Sequence, residues 1–283
     1  MPQLDKDSEE IKRIDNALSE WRQGDVALGE HWFTHIADPS RALTTESGQA
    51  EGGLQAITSE VEGLIVITQS CDIVRSSTKR PFLEVSPLVK VAPLSLKQIE
   101  KGLRPAYAFV PATADADLVA DLDRVMTVEK AVVGTWKRTQ GCKTDAEVRN
   151  FAQALARKRA RFAFPDEFTQ FVSGLQSRLR EKYDKFTEEG NALRALSEIR
   201  VRAAPSWDAT DVELFFWFIR DETDPSLQRN FWIPLLESWL KLIPAKGRFT
   251  RVDGAVTFLE DLTAKDYVES EPLDLDYLSS RDN

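Results

Sequence analysis

The sequence contains only two cysteines and two histidines among its 283 residues. Cys71 and Cys142 lie far apart, which argues against a disulfide framework and fits a reducing compartment. No apolar run approaches the roughly 20 residues that span a bilayer, and the N-terminal stretch MPQLDKDSEE lacks the basic and apolar regions of a signal peptide. The sequence therefore predicts a cytoplasmic protein without membrane association.

The short motifs of the commonest enzyme classes are also missing. There is no glycine-rich phosphate loop, no dinucleotide-binding fingerprint, no Gly-x-Ser-x-Gly elbow and no set of kinase motifs. No Cys-x-x-Cys pair occurs, and neither histidine is followed by the glutamate of the zincin motif. These absences argue against the commonest enzymes and leave less familiar chemistry open.

Charge is distributed unevenly along the chain. The net charge of −9 argues against nucleic-acid binding over the whole surface, because such binding depends on Lys and Arg displacing counterions. Residues 137–161, however, hold eight basic against two acidic residues, and residues 253–283 hold two basic against nine acidic. Either the acidic tail screens the basic segment, or the two segments face different partners.

The basic segment contains a candidate nucleic-acid contact. Helical spacing places Arg157 and Arg161 at positions i and i+4 on one face, where both guanidinium groups can reach a phosphate. The alternative is a solvated helix end whose cations interact with the helix dipole. In the tail, Asp274 and Asp276 alternate with leucines, which predicts an edge strand or a segment that docks on a partner.

Hydrophobic periodicity predicts an α+β multidomain protein. An N-terminal helix is predicted for residues 1–23, and a small antiparallel β-barrel or curled sheet for residues 24–112. A helical middle unit follows at 113–195, and a C-terminal α+β unit with the acidic tail at 196–283. Within the barrel, the polar stretch 37–60 predicts a long loop of the kind that is usually functional or mobile.

The order QGDVALGE, a long loop, EGLIVITQSCDI and RPFLEVSPLVKV resembles the PemK/MazF-like toxin barrel, which has an SH3-like fold. The resemblance covers residues 24–92. The positions that match are Gly24-Asp25, Thr68 to Ser70, and Ser86-Pro87. Ribonucleases of this family use an arginine just before the second strand together with a hydroxyl residue, whereas this sequence has Glu60 and Glu62 there. The resemblance thus implies a barrel retained as a binding platform, with a degenerate ribonuclease as an alternative.

A second resemblance rests on the box TQSCDIV, together with RFAFPDEF and EIRVRAAPSW. These segments look like those of a group of bacterial proteins that often sit beside phage-defence and mobile-element genes. No activity is attached to that group. The resemblance implies a defence-type or toxin-antitoxin-like context, with a protein partner encoded nearby.

Cys71 and Asp72 are the candidate catalytic residues. A thiolate at Cys71 is a nucleophile if a neighbouring base or cation lowers its pKa, although Asp72 opposes this. The only possible imidazole bases are His31 and His35. A buried structural cysteine explains Cys71 equally well.

His31 and His35 are also the candidate metal ligands. On a helix their spacing of four would place both imidazoles on one face, and Cys71 or Asp72 would complete a zinc site. On a strand the two rings would not converge. The cofactor prediction is therefore none, or zinc.

The sequence as a whole predicts a non-catalytic binding component. In this hypothesis Thr68, Gln69 and Ser70, with the 37–60 loop, form a cleft that recognises a protein partner or nucleic acid. The competing hypothesis is a hydrolase that uses either Cys71 as nucleophile or a metal held by His31 and His35.

Overall fold

The computed structural model describes residues 8–102, 104–160, 162–220 and 229–273. The chain forms two compact units that divide between Ala160 and Arg161. The predicted mixed α+β class is confirmed by two sheets and their accompanying helices. The predicted division into four segments is not confirmed.

The first unit is built on an antiparallel six-stranded sheet. Five strands pair in the order β1-β2-β3-β5-β4, and β6 pairs with β3. The strands are β1 (Val26–Ala37), β2 (Gln55–Val66), β3 (Phe82–Lys90), β4 (Tyr107–Ala108), β5 (Leu118–Asp121) and β6 (Met126–Glu129). Its helices are α1 (Glu9–Leu18), α2 (Thr45–Gly48), α3 (Ser70–Ile73), α4 (Pro93–Glu100), α5 (Lys130–Val133) and α6 (Asp145–Arg159).

This sheet carries a core on each face. Alternation along the apolar run of β2 directs Leu64 and Val66 to one face and Ile65 to the other. Ile14 and Leu18 of α1 pack on the first face, and α6 packs on the second. The predicted N-terminal helix is confirmed, with the Ser8 hydroxyl accepting a hydrogen bond from the Ile11 amide at 3.3 Å.

The predicted barrel does not close among the described residues. Closure would require the free edges of β1 and β6 to pair, and no ladder joins them. Instead, the Thr34 amide donates to the Met126 thioether sulfur at 3.5 Å. The Met126 side chain therefore occupies the position that a backbone carbonyl of β6 would occupy in a closed barrel.

The prediction of a long loop at 37–60 was partly wrong. Residues 55–60 belong to β2 and pair with β1, so that Ala37 lies opposite Gln55. A capping box, in which Thr44 and Ser47 exchange hydrogen bonds, starts the short helix α2 within the remaining connection. Polar, half-exposed strands of a two-stranded ribbon look like loop in the sequence because they bury little apolar surface.

The prediction of an all-helical unit at 113–195 was also wrong. Residues 118–121 and 126–129 form β5 and β6 of the first sheet. The helix at 145–159 belongs to the first unit, whereas the helices beyond residue 165 belong to the second. Strands of four residues are too short for periodicity to reveal them.

The second unit packs its three longer helices against one face of a four-stranded sheet with the strand order β10-β7-β8-β9. Strands β8 and β9 are parallel and the other pairs are antiparallel. Its strands are β7 (Leu196–Ala204), β8 (Val212–Arg220), β9 (Phe249–Phe258) and β10 (Glu271–Pro272). Its helices are α7 (Asp166–Tyr183), α8 (Glu188–Arg194), α9 (Arg229–Leu240) and α10 (Ala264–Val268).

Aromatic side chains fill the core of the second unit. Phe216, Phe218 and Trp239 are completely buried, and the Phe218 and Trp239 rings stack with centroids 4.9 Å apart. The predicted docking tail with Asp274 and Asp276 lies outside the described residues. No helix in the described part of the chain is both long and apolar enough to cross a bilayer.

Candidate functional site

The TQSCD segment forms the turn that follows β2 and leads into α3. The Thr68 hydroxyl oxygen accepts a hydrogen bond from the Glu84 amide at 2.7 Å, next to a ladder bond from the Ile67 amide to the Glu84 carbonyl at 3.0 Å. The Ser70 hydroxyl accepts from the Gln23 amide at 3.1 Å, and the Gln23 side chain donates to the Ile67 carbonyl at 2.8 Å. Thr68 and Ser70 therefore hold the backbone of the turn.

A buried lysine donates hydrogen bonds to the backbone that follows this turn. Lys130 is only 1% exposed, and its ammonium donates to the Asp72 carbonyl at 3.0 Å and to the Arg75 carbonyl at 2.5 Å. Burial lowers the pKa of Lys130, and the carboxylates of Asp15 and Asp72 oppose that shift. The charged ammonium thus satisfies the carbonyls at the C-terminal end of α3.

Among the described residues, Cys71 and Asp72 lack the contacts expected of a catalytic pair. Cys71 is an exposed free thiol, so the alternative of a buried structural cysteine was wrong. Its sulfur contacts the Gln69 side-chain oxygen at 3.8 Å, and no imidazole hydrogen bond to it occurs among the described residues. The Asp72 carboxylate pairs with Arg75 at 3.1 Å. The described residues thus provide Cys71 with no base of the kind that activates a nucleophilic thiol.

A groove of about 600 Å³ lies beside the turn. We call it the Thr68 groove. It is lined by polar and apolar side chains that include Thr68, Gln69, Asp72, Arg80, Phe82, Glu84 and Arg159. The structure thus brings together three of the predicted residues of the turn, whereas no described residue of 37–60 lines the groove.

Side chains of both charge signs line the Thr68 groove together with an exposed aromatic ring. Phe82 is 54% exposed at the start of β3. Arg159, at the C-terminal end of α6, pairs with Glu84 at 3.2 Å. Arg80 has no ion-pair partner among the described residues. An aromatic ring flanked by two guanidinium groups and two carboxylates can bind a polypeptide segment through both apolar and charged contacts.

Sequence reasoning missed the contribution of Phe82 and Arg80. The signal was present in the alternation of PFLEV, where exposed Phe82 and Glu84 flank buried Leu83. Alternation predicts an outward face for both side chains. Only the packing of α6 beside β3 reveals that this face lines a groove.

The two histidines lie on β1, where a spacing of four does not bring the imidazoles together. The His31 ring meets Trp136 edge-on with centroids 5.1 Å apart, and burial lowers the pKa of His31. The His35 ring stacks on Phe33, and its two buried ring nitrogens have no hydrogen-bond partner among the described residues. No cluster of three or more metal-ligating side chains occurs among the described residues.

The basic end of α6 forms ion pairs within its own unit. Lys158 pairs with Asp123, and the Arg157 guanidinium packs so closely on Gly102 that a Cβ there would lie 2.7 Å from Nη2. Arg161, the predicted partner of Arg157 in a phosphate fork, lies outside the described residues. These contacts fit a helix end whose cations are used inside the protein.

Gly24-Asp25, the start of the barrel resemblance, has a structural role. Asp25 is 1% exposed and accepts hydrogen bonds from the Arg138 guanidinium at 2.6 Å and from the Arg22 amide at 2.8 Å. These hydrogen bonds offset part of the cost of burying the carboxylate. Glu60 and Glu62 were expected just before the second strand, but both lie within β2, and Glu60 is opposite Trp32.

The sequence matches no protein-family model. A search of curated proteins likewise finds none that is similar to it.

Proposed function

We propose that this chain is a non-catalytic binding protein whose first unit recognises a segment of a protein partner at the Thr68 groove. The observation that carries the proposal is the exposed Phe82 ring in a groove whose neighbouring turn is held rigid by Thr68, Ser70 and Lys130. A rigid wall and an exposed aromatic anchor reduce the entropy cost of binding. The resemblance of the TQSCDIV box to defence-associated proteins places this partner, in our proposal, in a defence or toxin-antitoxin-like system.

Charge favours a protein over nucleic acid as the occupant. Asp72 and Glu84 line the Thr68 groove together with Arg80 and Arg159, so that the lining has no excess of positive charge. Phosphate backbones are bound through a surplus of Lys and Arg. Peptide segments that carry both signs of charge suit this groove better.

The test is site-specific photo-crosslinking in the native host. A benzoylphenylalanine crosslinker replaces Phe82 in one variant and Val74 in a matched control. Val74 is 48% exposed and follows α3, but it does not line the groove. We expect a discrete crosslinked protein from position 82 alone, unchanged by nuclease treatment.

The affinity of the crosslinked partner, once purified, then tests the role of Phe82. Phe82→Glu should weaken binding by about tenfold or more, because a buried aromatic anchor carries a large share of interface energy. Val74→Glu should leave the dissociation constant unchanged. A crosslink that nuclease removes would transfer the site to nucleic acid, and equal crosslinking from both positions would overturn the Thr68 groove as the site.

A further inference from the structure

A second groove runs between two strand edges of the first unit. Its volume is about 690 Å³, and we call it the β1–β6 groove. Four consecutive residues, 125–128, line it from β6 and the residue before it, and His31, Trp32, Thr34, His35 and Ile36 line it from β1. Consecutive residues point to opposite faces of a strand, so a groove that touches both sets follows the strand edge itself.

Both edges are free of strand partners among the described residues. At these positions β1 pairs only with β2, and β6 pairs only with β3. The Thr34 amide points away from β2, because it donates to the Met126 sulfur at 3.5 Å. By the two-residue period of an antiparallel ladder, the amides of Trp32 and Ile36 point the same way. The edge therefore presents a row of backbone groups whose one observed partner is a thioether, a weak acceptor.

We propose that the β1–β6 groove binds an extended segment of a protein partner as an added β-strand. The segment would pair with the outward amides and carbonyls of Trp32, Thr34 and Ile36, and its alternate side chains would enter the groove. Exposed, apolar edge strands are the surfaces on which such pairing occurs. The lining of this groove shares Thr127 with the Thr68 groove, but the proposal does not depend on the function assigned to that groove.

The lining of the β1–β6 groove defines the chemistry of the segment. None of its described lining residues is acidic, lysine or arginine, and three large apolar side chains are open to solvent, Trp32 at 58%, Ile36 at 67% and Val132 at 47%. Uncharged, alternately apolar residues therefore suit the middle of the segment.

The surroundings of the groove are acidic. Glu30 precedes His31, Glu60 lies opposite Trp32, and Glu129 follows Val128. All three are exposed and none has an ion-pair partner among the described residues. Of the basic residues next in sequence to a lining residue, Lys137 alone is exposed and has no ion-pair partner among the described residues. Lysines at the ends of the segment would complement this excess of acid.

Met126 and His35 are the side chains that an added strand would affect. Met126 occupies the space beside the Thr34 amide, and its flexible side chain can move aside at low cost. Both ring nitrogens of His35 are buried, and within the described part of the chain neither has a hydrogen-bond partner. A strand in the groove would bring backbone donors and acceptors within reach of such an imidazole.

The experiment uses the full chain and a fluorescein-labelled peptide of about ten residues, in which Val and Thr alternate between terminal lysines. One control peptide has a proline in place of the central valine, and a second has glutamates in place of the lysines. Fluorescence anisotropy should give the tightest binding for the lysine peptide and about tenfold weaker binding for each control. Hydrogen exchange should show that the amides of Trp32, Thr34 and Ile36 become protected by the lysine peptide.

Three variants test the site. Thr34→Pro removes an outward amide that is not part of the β1–β2 ladder. Trp32→Lys places a charge at the edge and serves as the second variant if the proline disturbs folding. Leu28→Lys is the matched control, since Leu28 is 44% exposed on β1 but does not line the groove. We expect the first two to weaken peptide binding by about tenfold and the third to leave it unchanged.

Each remaining outcome overturns the proposal. Strand addition would be excluded if the lysine peptide did not bind. It would also be excluded if the Thr34→Pro and Trp32→Lys variants, with native melting temperatures, bound the peptide as tightly as the native protein does. Self-association in light scattering that Thr34→Pro abolishes, without peptide binding, would assign the edge to a second copy of this chain. Phe82→Glu should retain peptide binding, which separates this test from that of the Thr68 groove.

Discussion

Cys71 and Cys142 lie in opposite environments within one unit. Cys71 is exposed in the TQSCD turn, whereas Cys142 is 6% exposed in the core beneath α6. Burial raises the pKa of Cys142 to about 11, and the carboxylates of Glu147 and Asp25 act in the same direction. Thiol reactivity requires an accessible thiolate, so the two residues should differ sharply in reactivity.

We expect iodoacetamide to label Cys71 and to leave Cys142 unmodified in the folded protein. Intact mass spectrometry at pH 8 should show one added group per chain, and two after denaturation. In the Cys71→Ser variant native labelling should disappear, whereas in Cys142→Ser it should persist. Native labelling that survives in Cys71→Ser would contradict the buried position of Cys142.

His31 provides a test that depends on pH. Burial lowers the pKa of His31 below its ordinary value of 6.5, because the charged imidazolium is poorly solvated beside Trp136. As pH falls through 6.5, the unfolded chain takes up this proton before the folded chain does. The contribution to stability is therefore complete above pH 6.5 and is lost as the pH falls below it.

We expect the urea midpoint of the native protein to fall more between pH 7.5 and pH 5.5 than that of His31→Gln. Other groups titrate equally in both proteins, so the difference between the two falls isolates His31. An identical fall in both would show that His31 does not contribute.

At the scale of elements, α3 and α5 depend on each other across more than fifty residues of sequence. The ammonium of Lys130, the first residue of α5, donates to carbonyls of the 72–75 segment. Asp15 of α1 accepts from the Ser77 amide at 2.8 Å and from the Ser77 hydroxyl at 2.6 Å. The segment that follows β2 is thus anchored by side chains rather than by a ladder.

We expect Lys130→Met to reduce the free energy of unfolding by about 1–3 kcal/mol, because the variant retains most of the volume but removes the donor from two partly buried carbonyls. Removal of the buried charge offsets part of the loss, which keeps the effect within this range. Lys79→Met is the matched control on the exposed part of the same segment and should change stability by less than about 0.5 kcal/mol. Equal stability of Lys130→Met and the native protein in urea would contradict the role of the ammonium.

The elements that the sequence predicts well are those with strong periodicity. The helix that begins at Glu9 and the helix that Thr144 and Glu147 cap are confirmed with their capping hydrogen bonds. Strands β5 and β6 and the ribbon half of β2 were missed. These segments are short or polar, and they form strands because they pair with β3 or with β1. No local sequence pattern encodes that pairing.

At the scale of the whole molecule, each compact unit has its own core. Phe216 lies in the core of the second unit with Phe168, Phe218 and Trp239 around it. Among the described residues, the two cores of the first unit contain no residue beyond Leu155. Since stability follows the packing of each core, damage to one unit should remain within that unit.

We expect Phe216→Ala to reduce the stability of the second unit by about 3–5 kcal/mol, the usual cost of removing a buried phenyl ring. Hydrogen exchange measured by mass spectrometry should show faster exchange in the strands β7 to β9. Peptides from β1 to β3 should retain their native rates. Faster exchange in both sets would contradict the division after Ala160.

The sequence by itself determined the mixed α+β class, the N-terminal helix and the α6 capping box, because propensity, capping and alternation are local properties. It also placed Thr68, Gln69 and Asp72 together. Only the tertiary structure decided that Cys71 is exposed, that Lys130 is buried under the turn, and that β1 and β6 form no ladder with each other among the described residues. Burial and edge exposure depend on which distant segments pack or pair at a position, and that information is absent from any local stretch of sequence.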